Sequence, residues 1–364
     1  MSAKRKLHYV RLPAFHHLTD GLSFDVANCA EVLDTALVGL NEKTGIPDEM
    51  VRWNRRGGHA AGPLRLGKHG RIAIEVTESF SIARGKLRTA CVIENKDESG
   101  MGPVVLLKLQ SLVLDIPMRV ELPLRAILRG GPDLEGTYVV YLHALLSDDG
   151  KSYVYYGITR RGWNYRFGEH MKAALKERQT RLFPQKLAEL IEARLEQRAG
   201  RSDDRPKLAG VITSLCSVGI DKDMAKDTEE YLVDKYSLAS KHSLGLNMIP
   251  GGREGIRLLH QLSGKGQDEL VDTDARERAL VDYREKNPQA GVLKPGVAAA
   301  WADSAYAEAV ICGRENRLSA DQVRQIRYLA AIGSDLASIK ATVGAIDEGQ
   351  VRRVLAGRTY GRIR

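Results

Sequence analysis

Two tyrosine-bearing runs, Gly136-Thr137-Tyr138-Val139-Val140-Tyr141 and Ser152-Tyr153-Val154-Tyr155-Tyr156, flank the turn signal Asp148-Asp149-Gly150. Both are rich in β-branched and aromatic residues and read as the strands of a hairpin. Side chains alternate faces along a strand, so Tyr138 goes with Val140 and Tyr153 with Tyr155, and the phenols of Tyr138 and Tyr155 are expected to meet across the pair. Downstream, Arg166 and His170 stand four residues apart and share one face of an expected helix. A further strand-like run, 210–217, leads into an amphipathic segment, 224–236, in which Glu229 precedes the apolar pair Leu232-Val233; Asn247 then comes just before Gly251-Gly252. Phenol and imidazole transfer protons, a guanidinium grips an anion with a planar fork, and a carboxylate holds a hard divalent cation.

Taken in this order, the set resembles the GIY-YIG nuclease domain. Gly136-Thr137-Tyr138 matches the first motif and Tyr155-Tyr156-Gly157 the second; Arg166 and His170 match the helix arginine and the His or Tyr that follows it. Glu229 matches the metal-binding glutamate and Asn247 the closing asparagine. Thr137 and Tyr156 stand where the family has isoleucines, the hairpin connection is longer than in phage homing members and more like the branch that cuts branched DNA, and 177–206 reads as an insertion. The resemblance implies DNA hydrolysis with one divalent ion, Mg²⁺ or Mn²⁺. Hydrolysing a phosphodiester requires a deprotonated water, charge neutralisation on phosphorus and help for the departing oxygen. On the family's pattern Tyr138 is the general base and Tyr155 orients the water or shares that role, the choice between the phenols staying open. A free tyrosine has a pKa near ~10, so neighbouring cationic charge is expected to lower it. Arg166 is expected to hold the phosphate oxygens, His170 to contact phosphate or relay a proton, Glu229 to bind the metal and Asn247 to brace the site. Glu230 competes with Glu229 as metal ligand, and Asp227 is a third choice.

A chain of 364 residues exceeds one hydrophobic core, and the segments suggest an α+β, multi-domain protein. Residues 1–134 form an α+β domain without an assigned role, 135–255 the nuclease-like domain with a small antiparallel sheet flanked by helices, 256–313 a helical connector, and 314–364 a three-helix module. Residues 314–364 hold ten Lys or Arg against five Asp or Glu, a net +5 of the chain's +9. Ser319 begins a capping box with Gln322, apolar residues recur at helical spacing to Gly333, Ser334 is placed to cap a second helix, and Gly344-Ala345 turns into a third that stops at Gly357. This resembles the helix-turn-helix modules of phage and homing nucleases, which implies DNA as partner, with Gln350 and Arg353 at base edges and Arg352 and Arg358 on phosphates.

Other chemistries are disfavoured. Gly67-Lys68 is followed by His69 where a phosphate-binding loop needs Ser or Thr. Cys29, Cys91, Cys216 and Cys312 are far apart and read as reduced core residues. The basic stretch 52–71 reads as a solvated loop, and His16 and His17, being adjacent, point different ways. The longest apolar stretch, 103–117, is broken by polar residues and the start lacks an apolar signal core, so a cytoplasmic protein with no membrane partner is expected. Two alternatives stand beside the endonuclease: a DNA-binding regulator on an inactive nuclease scaffold, and a structure-specific nuclease on branched DNA.

Overall fold

The β-branched runs between residues 72 and 220 become strands of one mixed sheet in a computed structural model. It describes residues 7–22, 24–58, 72–81, 86–95, 103–111, 114–177, 181–201, 204–263, 273–287, 303–312, 317–357, 359–360 and 363. Strands β1 (Ile72–Ser81), β2 (Lys86–Asn95), β3 (Val104–Ser111), β4 (Ile116–Pro123), β5 (Tyr138–Ser147), β6 (Ser152–Thr159) and β7 (Leu208–Ile220) are arranged β2-β1-β3-β4-β7-β5-β6. The chain is thus mixed α+β. The pairs β1/β3 and β4/β7 are parallel and the rest antiparallel.

The expected boundary after residue 134 does not interrupt this sheet. Met118 to Glu121 of β4 pair with Val211 to Ser214 of β7, and one core holds Phe15, Leu33 and Ile127 together with Val139, Tyr141 and Trp163. Helices α1 (Leu12–Thr19), α2 (Val26–Thr44), α3 (Ile46–Arg55) and the short α4 (Leu124–Ile127) contribute to that core. Strand β4, which the sequence reading passed over, is the seam. Its burial alternates only in part, which hides a strand from a periodicity argument.

Helix α5 (Trp163–Leu175) is anchored to the N-terminal helices. Trp163 Nε1 donates to the Leu18 carbonyl at 2.8 Å and Asn164 Nδ2 to the Asp20 carbonyl at 3.1 Å. Helix α6 (Leu182–Arg198) occupies most of the segment read as an insertion, yet Phe183, Leu187, Leu190 and Ile191 pack with Leu145, Leu208 and Val211 of the sheet. Helix α7 (Lys222–Leu232) begins at Asp221, whose carboxylate accepts from the backbone of Asp223 and Met224, and ends in a wider π-type turn, Val233–Ser237. Helices α8 (Gly252–Ser263) and α9 (Thr273–Lys286) close a small core of Ile249, Ile256, Leu259 and Ala279.

The chain divides into two compact units, Met1–Gly291 and Val292–Arg364. The expected connector is therefore split: α8 and α9 belong to the first unit. In the second, α10 (Ser304–Cys312) precedes α11 (Ala320–Ala331), α12 (Leu336–Val343) and α13 (Glu348–Leu355). The last three enclose Val323, Ile326, Ile339, Val343, Val351 and Val354. Ser319 and Gln322 form the expected capping box on α11, whereas α12 is capped by Asp335, not Ser334, through the Ser338 amide at 3.0 Å. Among the described residues no helix is long and apolar enough to cross a membrane.

One buried carboxylate holds the chain start in place. Asp34 of α2 accepts from the backbone amides of His8 at 2.7 Å, Tyr9 at 2.7 Å and Val10 at 2.8 Å. Asp34→Ala leaves these donors unsatisfied in a dry setting and is expected to lower unfolding stability by about 3 kcal/mol, read by chemical denaturation.

Candidate active site

The register of β5 on β6 decides which phenols share a face. His143 lies opposite Tyr155 and Tyr141 opposite Gly157, so Tyr141, His143 and Tyr155 project to one side. Tyr138 projects to the other, where it packs with Val140, Ile220 and Ala225. It also lies five residues from the partner of Tyr155, about 17 Å along an extended strand. The expected meeting of Tyr138 and Tyr155 therefore does not occur, because the ladder starts at Leu146 and Ser152 and runs without a shift to Val139 and Thr159. Tyr141 takes that place, its ring centroid 6.5 Å from that of Tyr155.

Gly157 makes this packing possible. A Cβ built on it would lie 2.6 Å from the Tyr141 hydroxyl oxygen and 2.7 Å from Cζ. Only a residue without a side chain lets the buried Tyr141 ring cross β6 here.

Helix α5 brings Arg166 and His170 to the same face, both buried. Arg166 pairs with Glu169, which also accepts from Arg161 at 2.9 Å, and lies against the Tyr141 hydroxyl. Burial alone would lower the Arg166 pKa, but Tyr141, Tyr155 and Glu169 reverse this and leave it raised. His170 stands edge-on to Tyr155, with centroids 5.2 Å apart, and to Phe183 at 4.9 Å. Burial, then Arg166, His143 and Arg181, hold its pKa well below the usual imidazole value. His143, absent from the sequence-based set, is equally buried; its Nδ1 lies 2.9 Å from the Thr213 hydroxyl, and burial and Arg166 push its pKa down to about 3. Both rings are neutral at ordinary pH.

Tyr155 behaves contrary to expectation. Burial raises its pKa to about 12, with Tyr141 and Glu229 adding to the rise against the opposing Arg166 and Arg181. The two guanidiniums do not overcome loss of water around the phenol. Glu229 is buried on α7, and its Oε2 accepts from the Gly252 amide at 2.9 Å. Glu230 and Asp227 bond α8 as well: Glu230 accepts from the Glu254 amide at 3.0 Å and Asp227 pairs with Arg253 at 3.3 Å.

Asn247 touches the backbone of β6. Its Oδ1 accepts from the Tyr156 amide at 3.0 Å and its Nδ2 donates to the Tyr156 carbonyl at 2.9 Å, while Ser237 Oγ donates to Oδ1 at 2.6 Å. This is bracing geometry. Arg181 and Phe183, at the start of α6, also reach the site and went unnoticed in the sequence, since nothing in their spacing ties them to α5. Among the described residues no group of three or more His, Cys, Asp or Glu side chains forms a metal cage. A single buried carboxylate suits Mg²⁺, which keeps several waters and shares substrate phosphate oxygens.

In the second unit, Gln350 is buried, not placed for base edges. Its Oε1 accepts from the Ile346 amide at 2.9 Å and its own amide donates to Asp347 at 2.6 Å, so it serves the start of α13. Arg352 and Arg353 are exposed, 3.4 Å from Glu348 and 3.9 Å from Asp347 respectively. Arg358 lies outside the described residues. Compared with protein-family models, curated proteins and solved structures, the chain matches none.

Gly157→Ala is expected to destabilise the first unit by about 1–3 kcal/mol by overpacking against Tyr141, measured by thermal unfolding. The depressed His143 pKa gives a pH dependence. Between the ordinary value of 6.5 and about 3 the unfolded chain binds more protons, so the stabilisation is complete above 6.5 and lost as pH falls through that window. Thermal unfolding measured from about pH 7 to about pH 4 should therefore fall more steeply in wild type than in His143→Asn.

Proposed function

We propose that this protein is a DNA endonuclease of the GIY-YIG kind, hydrolysing phosphodiester bonds with one divalent ion. The supporting observation is that Tyr141, Tyr155 and Arg166, from β5, β6 and α5, meet on one buried face, while the buried Glu229 on α7 is near enough for its charge to act on Tyr155. Tyr141 replaces Tyr138 as the phenol of the first motif, since it shares the face of Tyr155 and lies against Arg166.

The chemistry follows from these placements. The Arg166 guanidinium is charged whatever the pH and holds non-bridging phosphate oxygens as negative charge grows on them. Its position beside the Tyr141 hydroxyl makes that oxygen the group that takes a proton from the attacking water in this reading. Tyr155, kept protonated by burial, donates a hydrogen bond that orients the water. Neutral His170 contacts the phosphate. As the water oxygen bonds to phosphorus, the bond to the departing ester oxygen breaks. Glu229 would hold Mg²⁺ or Mn²⁺, which neutralises charge on that departing oxygen.

The helices α11 to α13 are read as the helix-turn-helix module that positions the cut, with Arg352 and Arg353 on the DNA backbone or base edges. Their exposure on α13 supports this.

Nicking of supercoiled plasmid in Mg²⁺ tests the proposal. Arg166→Ala and Glu229→Ala are expected to abolish nicking without losing the folded state. Tyr141→Phe should lower kcat by about a hundredfold or more, whereas Tyr138→Phe stays within about threefold of wild type. DNA binding without any nicking would refute the assignment.

A further inference from the structure

Arg181 immediately precedes α6 and is only 9% exposed. It lines a cavity of about 40 Å³ together with Tyr155, His170, Phe183, Asn247 and Leu280. That volume accommodates roughly three water-sized groups, the bulk of the oxygens of one phosphoryl group.

His170 supplies the second observation. It is 1% exposed, lines the same cavity, and neither ring nitrogen has a hydrogen-bond partner among the described residues. Buried polar atoms are almost always satisfied, so such a ring beside a cavity points to a ligand that satisfies it. A neutral imidazole offers one N–H donor and one acceptor. The ring is also flanked by cations, since Arg166 and Arg181 both act on it and on Tyr155. The missing ligand is therefore an anion with hydrogen-bond acceptors.

We propose that Arg181 and His170 form a pocket for a phosphoryl group, Arg181 acting as a second guanidinium beside Arg166. Taking this group to be the scissile phosphate of DNA rests on the nuclease reading; the pocket itself does not. Helix α6 is then part of the site.

The full-length chain is tested in two ways. Thermal unfolding with added inorganic phosphate should show a rise in Tm for wild type that is absent in Arg181→Gln. In Mg²⁺, the same variant should raise KM for plasmid DNA by about tenfold or more. If Arg181→Gln does not fold, Arg181→Lys keeps the charge without the planar fork and should show less than half the wild-type phosphate shift. Wild type unmoved by phosphate, or equal shifts in wild type and variant, would overturn the pocket, and an unchanged KM would overturn its assignment to the scissile phosphate. An Arg181-dependent phosphate shift in a wild-type chain that never nicks DNA would instead keep the pocket and refute the nuclease reading.

Discussion

The site depends on the register in which β5 lies on β6. With His143 opposite Tyr155 and Tyr141 opposite Gly157, one face of the hairpin carries two phenols and an imidazole, and the gap left by Gly157 admits the Tyr141 ring. A slip of β6 by one residue would turn Tyr155 and Gly157 to the opposite side of the sheet and bring Val154 and Tyr156 beside Tyr141 and His143 instead.

Burial sets the electrostatics of that face. In the absence of water the imidazoles of His143 and His170 stay neutral, the Tyr155 phenol stays protonated, and the guanidinium of Arg166 keeps its charge because phenols and Glu169 surround it. Charge interactions in such a setting are much stronger than in water. In the proposed nuclease reading, such a site would hold its donors in fixed positions before DNA arrives, which is the main requirement for stabilising charge that develops during a reaction.

The N-terminal segment takes part in this arrangement. Trp163 and Asn164, the first residues of α5, are bonded to backbone carbonyls near the end of α1, so the helix carrying Arg166 and His170 is positioned by residues more than 140 places earlier. The parallel seam between β4 and β7 joins the two halves of the sheet, and the core runs through it. Residues 1–134 thus act as the scaffold that orients α5.

Local information was enough for much of this. Alternation and turn residues marked the hairpin, the four-residue spacing of Arg166 and His170 marked a helix face, and the capping box at Ser319 marked the start of α11. Tertiary structure decided the rest. Tyr138 and Tyr141 are equally tyrosines on a strand, and only the ladder length says which one meets Tyr155. His143 and Arg181 carry no local signal, because what makes them members of the site is a sheet face and a helix packed from elsewhere in the chain. Gln350 looked available on a helix surface, yet the turn before α13 draws it inward to satisfy the Ile346 amide. The sequence by itself determined the elements and the residue types, since these follow from neighbours along the chain. Which side chains converge, and which of them lose water, was decided by packing between distant segments, and that loss of water is what shifts their protonation.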